Sequence, residues 1–207
     1  MSSKMINMNN KNQNSSQEKE KEKVQIIKQG RDRLHIAFQV ENQEVNLVNL
    51  INFMLFDLLF KINKDICESY RLDARNECEA RLQLVLKHIL KDLGVPQMWA
   101  NVIIVRENLC DKVVFTVTNV PHSETIISEE YELIPVKNIT VYCDILNKHK
   151  IDIRVDVLCE DEDVEDDDDK GMQKFLDKMT KTLLTNIINR LKQYIENMTY
   201  TSNQHLC

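Results

Sequence analysis

Two stretches near the C-terminus alternate strictly. Ile139, Val141, Cys143 and Ile145 are separated by Thr140, Tyr142 and Asp144; Ile151, Ile153, Val155 and Val157 are separated by Asp152, Arg154 and Asp156. A period of two gives each stretch one apolar and one polar face, the pattern of an antiparallel hairpin wet on one side. Leu146–Lys150 is short enough to join them directly. Upstream, Asn101–Glu107 and Lys112–Val120 are rich in Val, Ile, Phe and Thr, and the four residues Asn108–Asp111 read as their hairpin connection. Arg33–Val40 carries Leu34, Ile36 and Phe38 at period two and predicts a first strand. Ile126–Ile134, with Ser128, Glu129, Glu130 and Glu132, predicts a polar edge strand.

Elsewhere the period lengthens. Val45–Ile62 is the most apolar stretch, and Asn46, Asn49, Asn52 and Asp57 fall in one polar sector when wound at about 100° per residue. A buried helix with one wet stripe is expected rather than a bilayer span. Asp73–Leu93 predicts a second helix: Asp73 as N-cap, Cys78, Leu82, Val85, Leu86, Ile89 and Leu93 at helical spacing, then Gly94 and Pro96 as stop signals. From Gly171 to Met198 an apolar stripe (Met172, Leu176, Met179, Leu183, Ile187, Leu191, Tyr194, Met198) steps by three or four residues. A helix of that span is roughly 40 Å long at 1.5 Å per residue. The expected architecture is therefore α+β: an antiparallel sheet of about four to five strands, covered by two N-terminal helices and one long C-terminal amphipathic helix.

Composition sets the boundaries. Residues 1–30 form a polar tail rich in Asn, Ser and Gln that ends in alternating Glu and Lys, too poor in apolar surface to order. A single domain is expected over 31–198, interrupted by the acidic run 160–169, with a flexible end at 199–207. With 207 residues, 43% hydrophobic and 29% charged, the chain can build a core without disulfides or metal. The six cysteines, behind an N-terminus that lacks an apolar leader segment, read as reduced residues of a cytoplasmic protein; nuclear or virion-associated locations are compatible. The abundance of Asn, Ile and Lys fits an AT-rich coding genome such as that of a large DNA virus.

Chemistry is sparse. The net charge of −6 argues against broad nucleic-acid coating. The five histidines are never spaced with Cys or carboxylates as a zinc site needs, and the acidic run lacks the Asp-x-Asp-x-Asp-Gly spacing of a calcium loop, so no metal or cofactor is expected. His122, Ser123 and Glu124 are adjacent, whereas a catalytic triad converges through space. Cys110 beside Asp111 is a poor nucleophile. Trp99 is expected to seal the core edge.

The leading expectation is a non-enzymatic interaction or structural protein. Its partner surface would be Asp166, Asp167, Asp168 and Asp169 of the acidic loop together with Leu183, Ile187, Leu191 and Tyr194 of the long helix. The partner would be a protein, basic if it meets the loop, or a second copy of the chain. The alternative is a binder of a small apolar ligand, with a cavity of roughly several hundred Å³ between sheet and helix. The order of four antiparallel strands, acidic segment and long terminal helix also resembles the N-terminal domain of Hsp90-ATPase activators, which implies a co-chaperone-like module; the likeness is one of topology, with no shared motif.

Overall fold

The computed structural model describes residues 24–30, 32–88, 91–94, 96–120, 131–159 and 170–199, with side chains of the last segment from Lys178 onward. The fold is α+β: nine strands form one sheet, and a long C-terminal helix lies across it. The strands are β1 (Gln25–Gln29), β2 (Arg33–Glu41), β3 (Cys67–Ala74), β4 (Glu79–Leu86), β5 (Gln97–Asn108), β6 (Lys112–Asn119), β7 (Tyr131–Leu133), β8 (Val136–Asn147) and β9 (Lys150–Cys159). Their spatial order is β1-β2-β9-β8-β6-β5-β4-β3, antiparallel throughout, and β7 joins the start of β5 in parallel. Helix α1 (Met54–Ile62) follows a 3-10 turn at Leu47–Leu50, and helix α2 (Lys170–Glu196) ends the fold.

The β8–β9 hairpin has the register that alternation requires: Cys143 faces Ile153 and Ile145 faces Ile151. β5 and β6 also pair as expected, and β2 docks on β9, with Phe38 opposite Ile153. Expectation and structure part at four places. First, Asp73–Leu93 is not a helix. Its residues complete β3 and form β4, so the sheet is almost twice the expected size. Ala80, Leu82, Leu84 and Leu86 alternate as well as they wind. Pairing with Val102 and Ile104 of β5 buries Leu82 and Ala80, and that nonlocal burial outweighs the helix-forming tendency of Ala, Arg, Gln and Leu. Asn76 makes the turn, its Oδ1 accepting from the backbone N–H of Cys78 (2.7 Å) and Glu79 (2.9 Å). Asp73 is therefore a strand residue paired with Arg71 rather than a helix cap. Gly94, at φ +72°, ends only a 3-10 turn, Lys91–Leu93.

Second, Val45–Ile62 is broken. Asn46 Oδ1 accepts from Val48 N (3.1 Å), and Asn52 Oδ1 accepts from Met54 N (2.7 Å). The asparagines that looked like a wet stripe divide the segment by capping its pieces, so one α-helix rather than two precedes α2. Third, β1 falls within the stretch drawn as tail; Gly30, at φ +73°, turns it into β2. Fourth, the described part of the edge strand expected over 126–134 is β7, which pairs in parallel with β5 instead of extending the antiparallel order. Residues 126–130 lie outside the described residues, as do the acidic run 160–169 and the His122–Glu124 cluster.

The core lies on one face of the sheet, under α1 and α2. Phe115 of β6 is wholly buried at its centre, with the rings of Phe53 (6.3 Å, tilted) and Phe56 (5.2 Å, edge-on) stacked over it.

Candidate functional site

Paired residues of antiparallel strands share a face, so the register defines what the helices cover. On β2, β9, β8, β6, β5, β4 and β3 the positions on the helix-bearing face are Leu34 to Val40, Ile151 to Cys159, Ile139 to Ile145, Val113 to Asn119, Ala100 to Asn108, Ala80 to Leu86 and Tyr70 to Ala74, taking every second residue, with Ala74 and Asn108 exposed at the rim. All are apolar except Tyr70, Arg106, Asn108 and Asn119. The opposite face carries Val85, Trp99, Ile103 and Val105 on β4 and β5, and is largely polar and salt-bridged on β2, β9 and β8. There Arg154 and Lys112 flank the Tyr142 ring (5.4 and 5.7 Å) and both meet the Asp144 carboxylate. Burial pushes the Asp144 pKa up, but the hydrogen bonds from Arg154 and Lys112 together hold it below the usual carboxylate value.

Helix α2 finishes beside the C-terminal end of β2. Its C-terminal end is pinned. Asn42, 4% exposed, donates from Nδ2 to the carbonyls of Ile195 (2.7 Å) and Met198 (2.9 Å), while its Oδ1 accepts from Glu44 N (2.9 Å) and Val45 N (3.0 Å). Terminal carbonyls that a helix cannot satisfy itself are met by this one side chain. His149 Nδ1 faces the Asn42 and Val45 carbonyl oxygens at 2.9 and 3.0 Å, which requires the proton on that nitrogen. Lys192 donates to the Gln39 carbonyl (2.7 Å), and Arg190 reaches Asp65 (2.5 Å). At the far edge Tyr70 donates to Asp57 of α1 (2.7 Å). Burial, then that hydrogen bond, pushes the Tyr70 phenol up to about 12.

Between sheet and helix the packing is uneven. At the pinned end Val40, Leu47, Leu50, Ile51, Leu55, Cys143, Ile151, Ile153 and Ile195 enclose a void of about 10 Å³, room for a single water. The several-hundred-Å³ cavity expected for a ligand binder is closed there. Towards the other end the sheet residues Leu34, Ile139, Val155 and Val157, and the helix residues Leu183, Leu184 and Ile187, are only half-buried. Apolar surface remains on both walls where the helix is not pinned.

Of the residues expected to meet a partner, the four on the long helix are among the described residues. Leu191 is in the core, 5% exposed, Leu183 and Ile187 are half-buried towards the sheet side, and Tyr194 alone is exposed, at 39%. Asp166, Asp167, Asp168 and Asp169 lie outside the described residues. Sequence reasoning missed Asn42 and Arg106. Asn42 had no signal, whereas Arg106 was legible as a cation at an inward position of the alternating run Val102–Asn108. Among the described residues no group of three His, Cys, Asp or Glu side chains converges, and no helix is long and apolar enough to cross a membrane. The five cysteines among the described residues are free thiols; burial pushes that of Cys143 up to about 12.

No protein-family model matches the chain, and no curated protein matches it by sequence. Solved structures do. The human StarD13 (DLC2) lipid transfer and protein localization domain superposes with a TM-score of 0.57 at 9% identity, covering 94% of this chain and all of that one. Human STARD10 gives 0.59 at 8% identity, over 99% and 87% of the two chains, and human StAR-related lipid transfer protein 5 gives 0.52 at 7% identity, over 88% and 93%. This likeness overturns the expectation of a structural or interaction protein acting through a surplus helix. The helix is also not free: Ile188, Leu191, Ile195 and Met198 are buried in the core. The resemblance to Hsp90-ATPase activators rested on four strands, and the sheet has nine. The chain shares the fold of StAR-related lipid-transfer domains.

Proposed function

We propose that the protein binds a small apolar molecule in the crevice between the covered face of the sheet and α2. The observation that carries this reading is the half-buried apolar surface on both walls at the unpinned end of the helix: Leu34, Ile139, Val155 and Val157 below, Leu183, Leu184 and Ile187 above. Core residues of a purely structural sheet-and-helix pair are driven to full burial, at about 25 cal/mol per Å² of apolar surface withdrawn from water. Apolar surface left part-exposed along a crevice is surface that a ligand can cover. The fold shared with the StarD13 lipid transfer and protein localization domain and with StAR-related lipid transfer protein 5 supports the same reading. The closed packing at the pinned end means that a ligand enters by parting the layers at the other end, with Asn42, Lys192 and Arg190 holding the hinge.

The test is fluorescence titration with N-phenyl-1-naphthylamine, an uncharged apolar probe. Saturable binding near one equivalent is expected, with a rise in melting temperature as ligand is added. Ile139→Trp, which fills the crevice from the sheet side, should remove the binding while leaving a folded protein by circular dichroism. Absence of saturable binding, or binding unchanged in Ile139→Trp, would sink the reading.

A further inference from the structure

Strand β3 closes one side of the sheet, with β4 on its inner side. In an antiparallel ladder every second residue bonds the neighbouring strand, and the residues between turn their N–H and C=O the other way. The turn shows which residues of β3 do so. Arg75, one step beyond the Ala74–Ala80 pair, donates to the Glu79 carbonyl (2.9 Å), so the positions bonded to β4 step back as Asp73, Arg71 and Ser69. The far side of β4 agrees: Arg106 donates to the Cys78 carbonyl (2.7 Å), one residue out of step with the bonds to β3. Tyr70, Leu72 and Ala74 therefore present their N–H and C=O at the open edge, where no strand among the described residues meets them. Sheet edges are ordinarily blunted by proline, a bulge, like charges or a covering segment. From Ser69 to Ala74 there is no proline and no register shift, and the two charges differ in sign. Arg71 and Asp73 project from the face opposite the helices, 72% and 50% exposed, and pair with each other (2.8 Å).

We infer that this edge pairs with the same edge of a second copy, antiparallel about a two-fold axis at Leu72, so that the two sheets become one. In that register Leu72 lies opposite Leu72 of the partner subunit, and Tyr70 lies opposite Ala74 of the partner subunit. All of these residues carry open N–H and C=O groups, so each pair exchanges two hydrogen bonds. Arg71 then stands opposite Asp73 of the partner subunit, and Asp73 opposite the partner's Arg71. These are the pairs without backbone bonds, whose side chains come closest, and the four charges alternate in sign on one face. On the other face Leu72, half-buried in one chain, gains an apolar neighbour. A slip of two residues sets Arg71 against the partner's Arg71 in one direction and Asp73 against the partner's Asp73 in the other, and like charges directly opposite are destabilising. Charge thus selects one register, and a second copy is the partner that matches it. The inference stands apart from the ligand-binding reading.

Sedimentation equilibrium of the full chain tests this. One strand pair buries little surface, so the expected dimer forms at roughly 10–100 µM and dissociates on dilution. Arg71→Asp and Asp73→Arg each place like charges across the axis and should weaken association about tenfold or more, while circular dichroism shows both variants folded. Mixed in equal amounts, the two variants should associate again, because one carries two acids at these positions and the other two bases. Ala74→Pro removes an N–H that β4 does not use and should abolish the dimer while leaving the chain folded. A parent chain that stays monomeric up to about 200 µM, a dimer indifferent to the charge variants or to Ala74→Pro, or a mixture that fails to associate overturns the inference.

Discussion

Asn42 ties three parts of the fold together, and its replacement by Ala gives the sharpest test of how α2 is held. Its side chain makes four hydrogen bonds of 2.7 to 3.0 Å, two to carbonyls at the end of α2 and two from the N–H groups that open the next turn, and it is 4% exposed. A buried hydrogen bond contributes about 1 kcal/mol net, and each backbone group stranded by its loss costs further. Partial entry of water into the space left by the amide offsets some of that. The expected cost of Asn42→Ala is about 4 kcal/mol, which for a domain of this size lowers the melting temperature by roughly 8–16 °C. Urea denaturation gives the free energy directly, with an unchanged slope if both states keep their compactness. Asn42→Asp separates the donor role from the acceptor role. The carboxylate keeps the two accepted bonds but faces the Ile195 and Met198 carbonyls with an acceptor, at the negative end of the α2 dipole. At neutral pH it should cost more than Ala. Those same carbonyls raise the folded-state pKa of the introduced Asp above its unfolded value, so the folded protein binds the extra proton and the deficit shrinks as pH falls through that pKa. Loss of less than about 1 kcal/mol in Asn42→Ala, or a pH-independent Asn42→Asp, would refute the account of the helix anchor.

Phe115→Ala removes a fully buried ring in contact with Phe53 and Phe56 and should cost about 3–5 kcal/mol, read from the urea midpoint. The Tyr70 phenol, raised to about 12 by burial and by its bond to Asp57, makes a contribution to stability that is complete below pH 10 and lost as pH rises towards 12. Absorbance at 295 nm should show one tyrosine ionising later than the others, and Tyr70→Phe should abolish that late step. Alkylation followed by peptide mapping should label the exposed Cys78 and Cys110 in the native protein and leave Cys143, buried with its thiol raised to about 12, unlabelled until the protein unfolds.

How much of this was readable from the chain depends on where the deciding interaction lies. The β8–β9 and β5–β6 hairpins were legible because their alternation is unbroken and their turns are local. Helix α2 was legible because a stripe sustained over seven turns has no competing period. β4 was not: Glu79–Leu86 satisfies both periods, and its partner β5 lies eleven residues beyond the strand's end. The asparagines of 46–52 were read by their side of a helical wheel, whereas what decides is a side-chain oxygen competing for the next backbone N–H, which no hydropathy pattern records. The same holds at the site. Apolar residues on both walls were named from sequence, those of the strands as a dry sheet face and Leu183 and Ile187 of the helix as a surface for a partner, since a five-strand sheet leaves a helix of roughly 40 Å with length to spare. Four further strands remove that surplus. What they create is a broad, mostly apolar face on which Arg106 is the one charged residue among the positions described on β2–β6, β8 and β9. That residue was visible throughout at an inward position of Val102–Asn108, but only the register of β5 against β6 shows that Phe115 lies opposite it.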